Sequence, residues 1–237
     1  MSLKHIYYLI LTPFQRMKWW LFNSVFSKNE IISENNKNIF RKIYKNNYWA
    51  SQESFSGGGS HIETTINIRN ALPVLWEEYD IKTFLDIPCG DYNWMKEVSK
   101  KNIVYRGGDI VSEIIDRNNQ HYKDINISFN VFDITKDDLP NVDMIFCKDC
   151  FQHLSFSNVF KALINFKKSN SKYLLTTSYP LTWVNWDIAD GDYRALNLRL
   201  RPFNLPKPIY KLHEGSKGYQ MEVDKYFYLY KLKEINI

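Results

Sequence analysis

At 237 residues the chain has the length of one α/β domain with an N-terminal extension, and two independent cores are excluded. A composition of 44% hydrophobic and 24% charged residues excludes a disordered chain, and a net charge of +5 carried by dispersed lysines lacks the clustering of a nucleic-acid footprint. Three cysteines, Cys89, Cys147 and Cys150, make no disulfide framework, and their spacing lacks the second pair a zinc site wants, so no metal is expected and the thiols read as reduced and cytoplasmic.

In chain order, Ile6–Phe14 and Trp19–Phe26 are apolar runs interrupted by Gln15, Arg16, Met17 and Lys18. Each is too short to span a bilayer, which takes about 20 apolar residues. They read either as a helix packed on the domain or as an interfacial anchor with Lys4, Arg16 and Lys18 near lipid headgroups, peripheral to the inner face of a membrane. Ser27–Lys37 reads as a linker and Asn38–Asn47 as a short basic helix, so residues 1–48 form a helical extension before the domain. A run from Ser56 through Gly57, Gly58 and Gly59 to Ser60 precedes an amphipathic helix carrying Ile62, Ile66, Leu72 and Leu75, with a kink or restart expected at Pro73.

From Lys82 onward, strands and helices alternate as in a doubly wound, mostly parallel sheet covered on both faces. Strands are predicted at Thr83–Ile87, Ile103–Gly107, Ile127–Val131, Asp143–Cys147 and Tyr173–Ser178, and helices at Trp94–Ser99, Ser112–Tyr122 and Phe156–Lys168. The alternation stops after Ser178, and Tyr179–Pro208 reads as a long loop of the kind that is functional or disordered. Lys225–Ile235 alternates aromatic and polar residues and is predicted to close the sheet edge as an antiparallel strand.

The chemistry concentrates at the strand ends. The first strand runs through Asp86 into a tight turn, Pro88, Cys89, Gly90 and Asp91, where ligands bind in doubly wound sheets. The second ends at Asp109, whose carboxylate can accept hydrogen bonds from two ribose hydroxyls, and the third places Asp133 beside Ile134 at the same edge. The phosphate-cradling Gly-x-Gly-x-x-Gly of nicotinamide enzymes is missing.

From Ser54 to the C-terminus these residues resemble the class I S-adenosylmethionine-dependent methyltransferase family. The resemblance implies a Rossmann-like fold over residues 49–237 and S-adenosyl-L-methionine as cofactor. It sets the Asp86–Asp91 loop at the methionine part, Asp109 at the ribose with Ile110 adding apolar contact to the purine, and Asp133 with Ile134 at the adenine. The Ser56–Ser60 run is similar to the Ser/Gly-rich segment that some small bacterial members place over the cofactor. Asp91 stands where the family has a second glycine, either facing the cofactor's ammonium or capping a helix near Tyr92.

The fourth strand leads into Asp149, Phe151, Gln152 and His153, similar to the family segment between cofactor and acceptor. His153 is the candidate general base, or else a packing residue, with Asp149 as a second candidate base or an orienting group, and Phe151 is read as an adenine contact or as core. Tyr179, Trp183, Asn185, Asp187 and Tyr193, within the segment 179–214, are the candidate acceptor contacts, or else belong to a lid. The resulting expectation is methyl transfer to an oxygen of a small molecule or glycan. Its rivals are methylation of a protein or RNA, and a non-catalytic binding protein with a retained cofactor fold.

Overall fold

The computed structural model describes residues 3–26, 35–215 and 223–237. A seven-stranded sheet forms its centre, built from β1 (Thr83–Asp86), β2 (Val104–Asp109), β3 (Ile127–Val131), β4 (Met144–Cys147), β5 (Tyr173–Ser178), β6 (Tyr210–His213) and β7 (Tyr226–Lys231). Their order is β3-β2-β1-β4-β5-β7-β6. The first five run parallel, whereas β7 is antiparallel to β5 and β6 antiparallel to β7. The fold class is therefore the one expected, a doubly wound α/β sheet with antiparallel C-terminal strands. β7 is interior, and β6, which no strand was predicted for, takes the outer edge.

Strand composition explains the layering. β4 is wholly buried, as a parallel strand covered on both faces must be. Neighbouring residues of β1 and β4 point to opposite faces. Phe84 and Phe146 stack at 5.7 Å in the layer that holds Ile68, Leu72, Leu75 and Trp76 of α3 (Ile66–Glu78). Leu85 and Ile145 join Val159, Ala162, Leu163 and Phe166 of α5 (Phe156–Lys168) on the other face. Those four follow the i, i+3, i+4, i+7 pattern, Ser155 caps the helix by accepting from the Asn158 N–H, and Lys167 and Lys168 sit in its last turn where cations suit the dipole.

Several boundaries differ from expectation. α3 starts at Ile66 and runs through Pro73 as one element. Trp94–Ser99 yields only a 3-10 turn at Met95–Glu97, so no full helix follows the β1 turn. The linker expected at Ser27–Lys37 lies largely outside the described residues, and α2 (Asn36–Lys45) begins before its end, with Asn35 as its cap. α4 (Ser112–Tyr122) has the predicted bounds.

At the N-terminus, α1 (Leu3–Phe26) is docked on the domain by a buried ion pair. Arg16 donates to both carboxylate oxygens of Asp224 at 2.7 and 3.0 Å and to the Thr182 hydroxyl at 3.0 Å, with its guanidinium 5.2 Å from the centre of the Tyr179 ring. Arg16 and Asp224 are each 2% exposed, so Arg16 cannot reach a headgroup. The Lys4 side chain lies outside the described residues.

Candidate functional site

The chain turns back on itself between β1 and β4, where connections leave to opposite faces, and a cavity opens at the carboxyl ends of the strands. It encloses about 1070 Å³ of space including its open mouth. Asp86, Pro88, Cys89, Gly90, Asp109, Ile110, Asp133, Ile134 and Asp149 line it, as does Ser60.

Each strand-end acid is held differently. Asp109 is 6% exposed and is held by the backbone, accepting from the Gly90 N–H at 3.1 Å on one oxygen and from the Val111 N–H at 3.0 Å on the other, with the Ile110 N–H adding a third bond. Burial outweighs these bonds and pushes its carboxyl up to about 6. Asp86 accepts from the Tyr105 hydroxyl at 2.6 Å, and burial pushes it up to about 7. Asp133 accepts from the backbone and hydroxyl of Thr135 and pairs with Lys136 at 3.2 Å. Beside these acids, Ile110, Val111, Phe132, Ile134 and Leu154 give the cavity an apolar wall suited to a purine.

Asp91 does not line the cavity. It accepts from the Ser54 hydroxyl and the Phe55 N–H, both at 2.8 Å, and so latches the serine- and glycine-rich segment onto the β1 turn. The other end of that segment is tied by Lys148, which donates to the Gly59 carbonyl at 2.9 Å, and by Asn93, which donates to the Ser60 carbonyl at 3.1 Å. Gly90 permits this closure. Its φ of +53° suits glycine, and a Cβ there would stand 2.0 Å from the Ser56 hydroxyl oxygen.

His153 sits in a 3-10 turn, Phe151–His153, at the rim of the cavity. Its Nδ1 lies 2.8 Å from the Asp192 carbonyl, which can only accept, so Nδ1 carries the proton and the neutral ring keeps a bare Nε2. Burial lowers its pKa, which favours that neutral form. Trp49 and Tyr193 flank the imidazole, each ring centre 5.5 Å away. Phe151, by contrast, is 1% exposed and packs against Phe166 in the core, so it is no adenine contact.

Asp149, half-buried at the cavity wall, joins three buried charges in a ring of four. It pairs with Lys148 and, at 2.7 Å, with Lys225, while Glu214 meets Lys148 at 3.0 Å and Lys225 at 2.8 Å. Asp149 adopts a left-handed φ of +51° and accepts from the Gln152 amide at 2.8 Å. Burial opposes its charge, but the two ammonium groups prevail and hold the carboxyl well below the ordinary range. A carboxylate so held is unsuited to taking a proton, which removes Asp149 from the role of base.

Among the acceptor candidates, Tyr193 alone touches a cavity residue in the described ring contacts. Tyr179 is fully buried under Arg16. Asn185 braces the segment by donating to the Asn197 and Arg201 carbonyls and accepting from the Asn197 N–H. Asp187 accepts from the Phe156 N–H at 2.7 Å at the start of α5, and Trp183 packs against Phe14 of α1. These four side chains hold structure together rather than line the cavity. The segment also steadies His153, since the Gly191 N–H donates to its carbonyl and Arg194 donates to the Leu154 carbonyl.

Sequence reasoning missed two parts. α2 covers the cavity with Asn36, Phe40 and Tyr44, and its Ile39 and Ile43 pack on Gly191. Their apolar spacing was visible, but not the surface they cover. The partners Lys148 and Lys225 carried no local signal at all.

No family model and no curated protein matches the sequence. Solved structures do. The N-methyltransferase NodS from Bradyrhizobium japonicum WM9, solved with S-adenosyl-L-homocysteine, aligns with a TM-score of 0.56 at 11% identity over 83% of this chain and 98% of its own. The methyltransferase domain of bacterial CtHen1-C gives 0.54 at 11% identity over 72% and 98%. The PH0226 protein of Pyrococcus horikoshii OT3 gives 0.52 at 16% identity over 77% and 92%. At such identities the likeness is one of fold, a fold that this chain shares with solved methyltransferases.

Proposed function

We propose that this chain is an S-adenosylmethionine-dependent methyltransferase whose acceptor is a hydroxyl of a small molecule or sugar. The observation that carries the reading is Asp109, a backbone-held strand-end carboxylate that lines the cavity beside an apolar wall. The cavity fits a nucleoside carrying a zwitterionic amino acid better than a dinucleotide. A pyrophosphate would meet Asp86, Asp109 and Asp133 with only a 3-10 turn after Gly90, where a helix N-terminus would be needed to offset its charge. Asp109 would bind the ribose, Ile110, Asp133 and Ile134 would border the adenine, and the Asp86–Gly90 turn with Asp149 would border the methionine part.

When bound, the cofactor supplies a methyl group already activated by its sulfonium, so the protein must chiefly align the acceptor. His153 holds its proton on Nδ1 against Asp192 and offers Nε2 to an acceptor hydroxyl. Trp49 and Tyr193 suit the face of a flat or pyranose ring beside it. Preference for oxygen over nitrogen rests on that bare Nε2. Calorimetric titration with S-adenosylhomocysteine and separately with a nicotinamide dinucleotide tests the cofactor class. Binding of the first alone supports the reading, and no binding of the first by folded protein refutes it. Methyl transfer to hydroxyl-bearing sugars then tests the acceptor class.

A further inference from the structure

α1 is apolar on both of its faces. Its inner face is fixed on the domain through Arg16 and Asp224. Its outer face presents Tyr7, Ile10, Phe14 and Leu21, which are 59%, 60%, 52% and 51% exposed and fall on one stripe at helical spacing. Phe14 meets Trp183 edge-on at 5.4 Å, and Trp183 is itself 51% exposed, so the apolar surface continues onto the segment after β5. A soluble helix normally turns a polar face outward. Contiguous exposed apolar surface of this kind marks a site of interaction.

Charge selects the partner. α1 contains no Asp or Glu, so no carboxylate of its own opposes an anionic partner. Lys18 is exposed on the stripe itself, between Phe14 and Leu21. A second copy would set Lys18 against another helix that offers no acid to meet it. No helix among the described residues is long and apolar enough to cross a membrane. Aromatic and aliphatic side chains with lysines at their margin are instead the composition of a helix lying in the lipid interface.

We propose that the outer face of α1, extended by Trp183, docks on an anionic phospholipid surface, with Ile10, Phe14 and Leu21 entering the headgroup boundary and Lys18 meeting lipid phosphate. The buried Arg16–Asp224 pair keeps α1 attached to the body while its outer face is in lipid. This surface is separate from the cavity, and the proposal stands whether or not the methyltransferase reading does.

The test is flotation of the full chain with phosphatidylcholine vesicles, with and without phosphatidylglycerol, alongside its mass in solution by light scattering. Binding is expected with the anionic vesicles only, weakening as salt is raised. Ile10→Asp/Leu21→Asp is expected to lower it about tenfold or more by removing the apolar insertion. Lys18→Glu, which leaves the apolar residues in place, is expected to weaken binding to anionic vesicles without changing thermal unfolding. No flotation with either vesicle, equal flotation with both, or unaltered binding in both variants would overturn the proposal. A dimer that Ile10→Asp/Leu21→Asp dissociates, without vesicle binding, would overturn it and assign the face to a second copy.

Discussion

Replacing Asp109 by Asn separates the two tasks of that carboxylate. Its two oxygens both accept backbone N–H groups, Gly90 on one and Val111 on the other, and asparagine can accept on only one side. In the proposed complex the carboxylate also receives the ribose hydroxyls. Hydrogen bonds to a charged group contribute about 1.5–3 kcal/mol, and about 1.4 kcal/mol is a factor of ten, so Asp109→Asn should weaken S-adenosylhomocysteine binding roughly ten- to a hundredfold in a calorimeter. The pH dependence gives a second reading. Burial raises this carboxyl to about 6 in the fold, against an ordinary value of about 3.9. The folded apo protein therefore keeps a proton that the unfolded chain releases, and this group's contribution to apo stability falls as pH rises from about 4 to about 6. Affinity should move the other way, rising over the same range as the carboxylate ionises. Asp109→Asn should remove both slopes. Unchanged affinity in the variant, with its melting curve showing folded protein, would refute the role given to Asp109.

Other variants probe the remaining parts. Arg16→Met leaves Asp224 buried without its cation, and loss of one partner of a buried pair typically costs about 3–5 kcal/mol in urea denaturation. Adding Asp224→Asn should recover part of that loss, and equal stability of the single variant and wild type would show that α1 is not anchored there. Gly90→Ala combines a left-handed φ with a Cβ at 2.0 Å from the Ser56 hydroxyl oxygen, so it should destabilise the fold by about 1–3 kcal/mol. Ser56→Gly should relieve the clash but not the backbone strain, leaving a partial deficit. His153→Gln should keep S-adenosylhomocysteine affinity while lowering turnover of a hydroxyl acceptor about 10²- to 10⁴-fold. Because burial lowers the histidine pKa, the acid limb of wild-type activity should lie below its ordinary value of about 6.5. An unchanged rate in His153→Gln would leave acceptor alignment as the sole contribution.

The sequence by itself determined the sheet's central strands and the edge at which acids gather. Short apolar runs such as β4 and the i, i+3, i+4, i+7 pattern of α5 are local signals, and an acid ending each of three successive strands is a local regularity. Parallel connections then bring Asp86, Asp109 and Asp133 to one edge regardless of side-chain detail. Only the tertiary structure decided what each polar group faces. Asp91 and Asp187 resemble site residues in sequence, yet one latches a loop and the other meets a helix start, because their partners are Ser54 and Phe55 in the first case and Phe156 in the second. Asp149 looked like a base until Lys148 and Lys225 were beside it, and Lys225 stands just before β7, 76 residues away. Periodicity reports which face of an element is apolar. Electrostatic partners and cavity walls depend on which distant elements pack together, and that is a property of the folded chain alone.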